Sequence, residues 1–272
     1  MKNTNKEIAQ ETLNIITRKY YLNNDGEKVD IEKELEFCND NTRFFTAEEL
    51  SSLMKNETPQ EKHDMQIEVW NCSSLEAILQ LSSTENQDLI MCLNFASAKN
   101  PGGGFINGAI AQEESLARAS ALYASQLKAE TFYKIHRGMK SCFYTDHMIY
   151  SPKVPVFRDD TGALLSEAVF CNIITSAAVN AGVVRQTEPD SATTIASVMN
   201  ERIDKMLALA LDQKNEVLIL GAWGCGVFKN SPKEIAELFK NHLQGKYKGK
   251  FKRVVFAIFT KNEGILKPFE SI

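Results

Sequence analysis

From Met65 onward the chain alternates short apolar runs with longer amphipathic stretches, and no other feature restricts its fold so much. Strand-like runs fall at 66–70, 89–95, 148–150, 168–175, 217–220 and 253–259. Helical periodicity falls between them, near 74–81, 114–128, 193–211 and 232–242. The last of these carries its own start signal: Ser231 as cap, Pro232 at the first helical position and Glu234 completing a capping box. Strands that alternate with helices bury their faces in layers, so the pattern predicts an α/β domain with a mixed sheet covered by helices on both sides.

Upstream the texture differs. A helical pattern through Ile8, Leu13, Ile15 and Ile16 is followed by the turn cluster Asn23-Asn24-Asp25-Gly26 and a short alternating stretch at 29–31. Thr46-Ala47-Glu48-Glu49 fits a second capping box, with Leu50 and Leu53 as its apolar face. Residues 1–60 are therefore expected to form a mainly helical N-terminal extension packed on a core of residues 61–272.

Two segments look like chemistry and not scaffold. NFASAKNPGGGFINGAIAQEESLAR, at 94–118, follows an apolar strand and leads into a helix. Gly102, Gly103 and Gly104 remove every side chain over that length, which lets a partner approach the backbone closely. Successive amides there are expected to form an anion nest near a helix N-terminus. LGAWGCGVFKNSP, at 220–232, also joins an apolar strand to a helix, with Gly224 and Gly226 able to present amides and Phe228 as an apolar platform. If the two preceding strands are parallel, both loops emerge at the carboxyl end of the sheet and share one cleft. A dinucleotide fingerprint of the form G-x-G-x-x-G does not open the first strand–helix unit, and no P-loop pattern occurs.

Composition narrows the setting. The net charge is −4, so phosphate recognition must rely on local amides and not on a basic field, and no direct DNA binding is expected. The longest apolar runs are too short to span a bilayer, and the first residues lack an apolar signal core. Six cysteines without a C-x-x-C pair suit a reducing compartment, so a cytoplasmic location is expected. They show no ligand spacing with the four histidines, and no metal site is expected.

The combination of Asn100-Pro101-Gly102-Gly103-Gly104 with Gln112-Glu113-Glu114 resembles the signature of the poly(ADP-ribose) glycohydrolases, in their compact microbial branch. The segments YSP at 150–152, VPVFRDD at 154–160, TSAAVNAGVVR at 175–185 and GAWGCGVF at 221–228 resemble that branch in the same order. The resemblance thus runs from about Glu7 to the C-terminus and implies a macrodomain-like core. It implies Glu114 as the acid that protonates the departing ribose oxygen, with Glu113 holding ribose hydroxyls. It assigns substrate contacts to Asn100, Gln112, the backbone of Gly102, Gly103 and Gly104, and the loop Gly224, Cys225, Gly226, Val227 and Phe228. Poly(ADP-ribose) or ADP-ribosylated proteins become the expected substrate, and ADP-ribose the product. The chain departs from the pattern at Lys229, where a small residue is expected and a lysine would narrow the cleft or touch phosphate. It departs again near Ser73, where an acidic residue is expected against the adenine.

Glycosidic cleavage needs a proton on the leaving oxygen while positive charge builds on the sugar. Adjacent glutamates cannot flank a bond from opposite sides as in ordinary glycosidases, so the sequence favours a single working acid. Such acid-assisted cleavage implies no metal or organic cofactor. Two further readings of the same fold stay open: a reader of ADP-ribose without hydrolysis, and a mono-ADP-ribosyl hydrolase. Arg118 is expected to be a solvated or salt-bridged helix residue, and His136 and His147 to be structural or exposed.

Overall fold

The computed structural model describes residues 4–55 and 63–272, which form nine strands and eleven α-helices. In chain order they begin α1 (Asn5–Arg18), β1 (Tyr20–Leu22), β2 (Lys28–Asp30), α2 (Glu32–Asn41), β3 (Arg43–Phe45), α3 (Ala47–Leu53), β4 (Gln66–Trp70), α4 (Ser74–Ser82) and β5 (Ile90–Phe95). Then follow α5 (Gln112–Ala119), α6 (Leu122–Lys128), α7 (Glu130–Gly138), β6 (Met148–Arg158), β7 (Leu164–Ser176), α8 (Ala181–Thr187) and α9 (Ile195–Asp212). The chain ends with β8 (Val217–Leu220), α10 (Pro232–Gln244), β9 (Arg253–Ala257) and α11 (Glu263–Glu270).

Seven strands make one mixed sheet in the order β3-β6-β7-β5-β8-β9-β4. The β3/β6 and β6/β7 pairs are antiparallel, and the rest are parallel. Side chains along a strand alternate between faces, and the two cores follow that alternation. Met91 and Leu93 of β5, with Leu218 and Leu220 of β8, pack in the layer of α9 and α10. Ile90 and Cys92, with Val217 and Ile219, pack in the layer of α4 and α5. The sheet is thus covered on both faces, as the alternation predicts.

The 60/61 limit between extension and core lies outside the described residues. The residues before it are built into the fold: β3 is the sheet's edge strand beside β6, and Ala9 of α1 packs with Phe105 and Ala117. Both bonds of the Thr46–Glu49 capping box form. At α10, Ser231 Oγ accepts from the Glu234 N–H at 3.4 Å, and Pro232 opens the helix. Ser231→Ala is expected to lower stability by about 1 kcal/mol, read as a lower urea midpoint with unchanged slope.

Five elements depart from the sequence reading. The helix expected over 114–128 is two helices, because Ser120 is extended and bridges Val156 of β6. Its hydroxyl donates to Leu116 O at 2.6 Å and accepts from Leu122 N–H at 3.2 Å, closing one helix and starting the next. The strands expected at 148–150 and 168–175 are longer. β6 runs through Pro152 and Pro155 because β3 pairs only with 148–150, and a register shift between Ser151 and Val154 takes up the irregularity. Helices α7 and α11 lie outside the helices expected from sequence: α7 has no side-chain cap, and α11, capped by Asn262, holds Pro268 inside it.

Candidate active site

β5 and β8 lie side by side and parallel, with Ile90 opposite Val217 and Cys92 opposite Ile219. Both glycine loops therefore leave the same end of the sheet from neighbouring strands. Between them opens a cavity of ≈ 520 Å³, a volume suited to a nucleotide-sized ligand. Its wall includes Gln112, Glu113, Glu114, Gly226, Val227 and Phe228.

Helix α5 starts at that wall with Ala111 as N-cap and no side-chain cap on its first-turn amides. The positive end of the helix thus faces the cavity, where an anion is favoured. Gln112 fastens the helix to the sheet. Its Nε2 donates to Leu93 O at 2.8 Å and to Ser74 Oγ at 3.1 Å, and its Oε1 accepts from Phe95 N–H at 2.9 Å.

Glu113 is buried, with 2 % of its surface exposed. Its Oε1 accepts from Asn94 Nδ2 at 3.0 Å and Gln126 Nε2 at 2.9 Å, and its Oε2 accepts from Ser97 N–H at 2.6 Å. Burial pushes its carboxyl up to about 7, against the pull of those three donors, and the Glu114 charge adds to the rise. Three N–H groups aimed at one carboxylate make Glu113 an acceptor for the site, not a mobile proton carrier. Glu114 is only partly buried, and its Oε1 accepts from Gly104 N–H at 2.9 Å. Its Oε2 has no partner among the described residues.

The amides of the GGG run bond within the chain, and one of them holds Glu114. Gly102 N–H donates to Gln126 Oε1 at 2.7 Å, Gly103 N–H to Asn100 O at 3.0 Å, and Gly104 N–H to Glu114. These amides are engaged within the chain, so the anion nest expected there does not form, and Asn100 and the three glycines stand off the cavity wall. A Cβ at Gly103 would lie 2.3 Å from Glu114 Oε1, which is why that position has no side chain.

The second loop leaves several amides unengaged within the chain. Carbonyls turn inward: Gly226 O accepts from Lys229 N–H and Phe228 O from Gly182 N–H. The amides of Gly226, Val227 and Phe228 have no acceptor among the described residues, and they border the cavity with Gly224 and Cys225. Phe228 leans on Tyr144 with ring centroids 6.2 Å apart. Trp223 is at once core and cleft floor, fully buried and part of the wall.

Several expectations need correction. The base of the Lys229 side chain lies against Gly182 of α8, and Lys229 is not among the residues that line the cavity. Arg118 is 9 % exposed and carries no ion pair among the described residues; its guanidinium donates to Ala109 O and Ser115 Oγ. An acid does stand beside Ser73, though from a distant segment: Ser73 Oγ donates to Asp160 Oδ2 at 2.5 Å. Only the folding back of the β6–β7 hairpin brings them together, and no spacing announces it. Asn94, Ser97 and Gln126, which hold Glu113, were likewise invisible as a group. His136 is buried between Phe132 O and Thr145, a structural role.

Residues 9–159 match the family described as the microbial-type PARG catalytic domain, PARG being poly(ADP-ribose) glycohydrolase. The chain belongs to this family. Among solved structures, the PARG of Thermomonospora curvata is similar at 39% identity over 98% of each chain, with a TM-score of 0.93. The same enzyme bound to the inhibitor ADP-HPD is similar at a TM-score of 0.90 and 39% identity, again over 98% of each chain. The PARG of Deinococcus radiodurans in complex with ADP-ribose is similar at 40% identity over 87% of this chain and 95% of that one, with a TM-score of 0.82. No curated protein sequence matches the chain. The macrodomain-like architecture of the PARG family accounts for the mixed sheet. No described helix is long and apolar enough to cross a membrane, and no three His, Cys, Asp or Glu side chains of the described residues gather as a metal cluster.

Proposed function

We propose that this chain hydrolyses the ribose–ribose O-glycosidic bond of poly(ADP-ribose) and releases ADP-ribose, with Glu114 as the acid. The observation that carries the reading is the pose of Glu114. One carboxyl oxygen is held by Gly104 N–H, the other is unengaged, and the group stands on the cavity beside buried Glu113 and across from the free amides of the second loop.

The diphosphate of a terminal ADP-ribose fits against the amides of Gly226, Val227 and Phe228. Its ribose packs on Phe228, and its hydroxyls reach Glu113. Glu114 gives its proton to the oxygen that leaves from the ribose C1″ carbon, and the C–O bond breaks with positive charge growing on the sugar. A water adds to that carbon, and the Glu114 carboxylate takes the water's proton back. The substrate's diphosphate steadies the positive charge. At the adenine end, Asp160 on Ser73 supplies the carboxylate that the sequence near Ser73 lacks. The N-terminal segment belongs to the same catalytic unit, since α1 packs on the acid's helix. Six free cysteines, five of them buried, suit the cytoplasm.

Incubation of the purified protein with poly(ADP-ribose) is expected to release free ADP-ribose. Binding of ADP-ribose without release would overturn the reading in favour of a reader, and activity confined to mono-ADP-ribosyl protein would favour the other hydrolase. Phe228→Ala is expected to raise KM about tenfold with a smaller change in kcat, since the loss of a packed aromatic face is worth roughly 1.4 kcal/mol.

A further inference from the structure

Buried cations are usually paired, yet Arg118 makes no direct ion pair among the described residues, and the Glu114 charge on the same helix acts on it only through space. Its hydrogen bonds instead belong to a closed circuit. Arg118 Nη1 donates to Ala109 O, Ala109 N–H donates to Gly104 O at 3.2 Å, and Gly104 N–H donates to Glu114 Oε1 at 2.9 Å. Glu114 and Arg118 are four residues apart on α5, hence on one face of the helix, so the helix itself completes the ring. The ring is tight, because a Cβ at Gly104 would sit 3.1 Å from Ala109 Cβ. Helix α1 braces it from outside, with Thr12 Oγ1 donating to Arg118 O at 2.5 Å.

We propose that Arg118 is a positioning residue for Glu114. It pins Ala109, Ala109 holds Gly104, and Gly104 fixes one oxygen of the acid so that the other faces the bond to be cleaved. The inference rests on the glycohydrolase reading. Remote anchoring of this kind acts on the rate of the chemical step more than on binding, because it sets the aim of the acid and leaves the amides of the second loop untouched.

The test compares wild type, Arg118→Met and Arg118→Lys for kcat and KM on poly(ADP-ribose), for ADP-ribose affinity by calorimetry, and for melting temperature. Arg118→Met is expected to lower kcat by about 10–100-fold, with KM and ADP-ribose affinity within about threefold of wild type. Arg118→Lys, which can still donate to Ala109 O, is expected to recover part of that kcat. Wild-type kcat in Arg118→Met overturns the proposal, as does a parallel loss of affinity and rate, which marks a purely structural role. If Arg118→Met does not fold, Arg118→Lys decides: a lower kcat at unchanged KM supports the proposal and wild-type kcat overturns it. A wild type that releases nothing defeats the glycohydrolase reading and this role with it, whereas an active wild type with unaffected variants defeats this role alone.

Discussion

Glu114→Gln is expected to reduce ADP-ribose release from polymer by about 10²–10⁴-fold, the usual worth of a positioned acid, while ADP-ribose itself still binds. Glutamine has the same shape, and its carbonyl oxygen can accept the Gly104 N–H as Glu114 Oε1 does. What it lacks is a proton to give. Single-turnover release and calorimetric binding on the same preparation separate the two effects. Glu113→Gln makes an instructive contrast. Three N–H donors converge on that carboxylate, so an amide there sets at least one N–H against another in a buried site. A loss of stability of about 1–3 kcal/mol is expected, visible as a lower melting temperature, where Glu114→Gln should leave the melting temperature near wild type.

Gly103→Ala should also be severe. Its Cβ would fall 2.3 Å from Glu114 Oε1 and 2.9 Å from Glu114 Cδ, so the acid must move or the loop must open. Gly103 also has φ +58, where an L-residue is strained by roughly 1–2 kcal/mol. Displacement of the acid by about an ångström is expected to cost on the order of 100-fold in kcat. Gly26→Ala separates the causes. Gly26 has φ +80 but nothing within 4 Å of its would-be Cβ, so the backbone strain remains while activity is expected to stay at the wild-type level. Equal loss of activity in both variants would show that strain, and not contact with Glu114, governs the site.

Much of this arrangement is legible in the sequence because it follows from local chemistry. The strands at 66–70 and 217–220 match their apolar runs, and the capping signals at Thr46 and Ser231 mark real helix starts. The adjacency of the two glycine loops follows from parallel strands. What is not legible depends on contacts between distant segments. Gln126 comes from another helix to hold both Gly102 and Glu113, tying the glycine run to the buried carboxylate. Arg118 reads as a surface residue because its partners are a loop carbonyl and a serine, with no acid at helical spacing except Glu114 itself. Asp160 meets Ser73 only because a hairpin folds back over the sheet.

The adjacency of β5 and β8 has a dynamic consequence. Both strands are buried on both faces and paired on both sides, so their amides belong to the part of the molecule that opens last. Hydrogen exchange should be slowest there and fast at the rim, where Ile110, Val227 and Phe259 are 76, 78 and 81 % exposed. Warming would then loosen the lips of the cleft while its floor stays intact. Substrate capture would fade at temperatures where the residues that perform the chemistry still keep their mutual alignment.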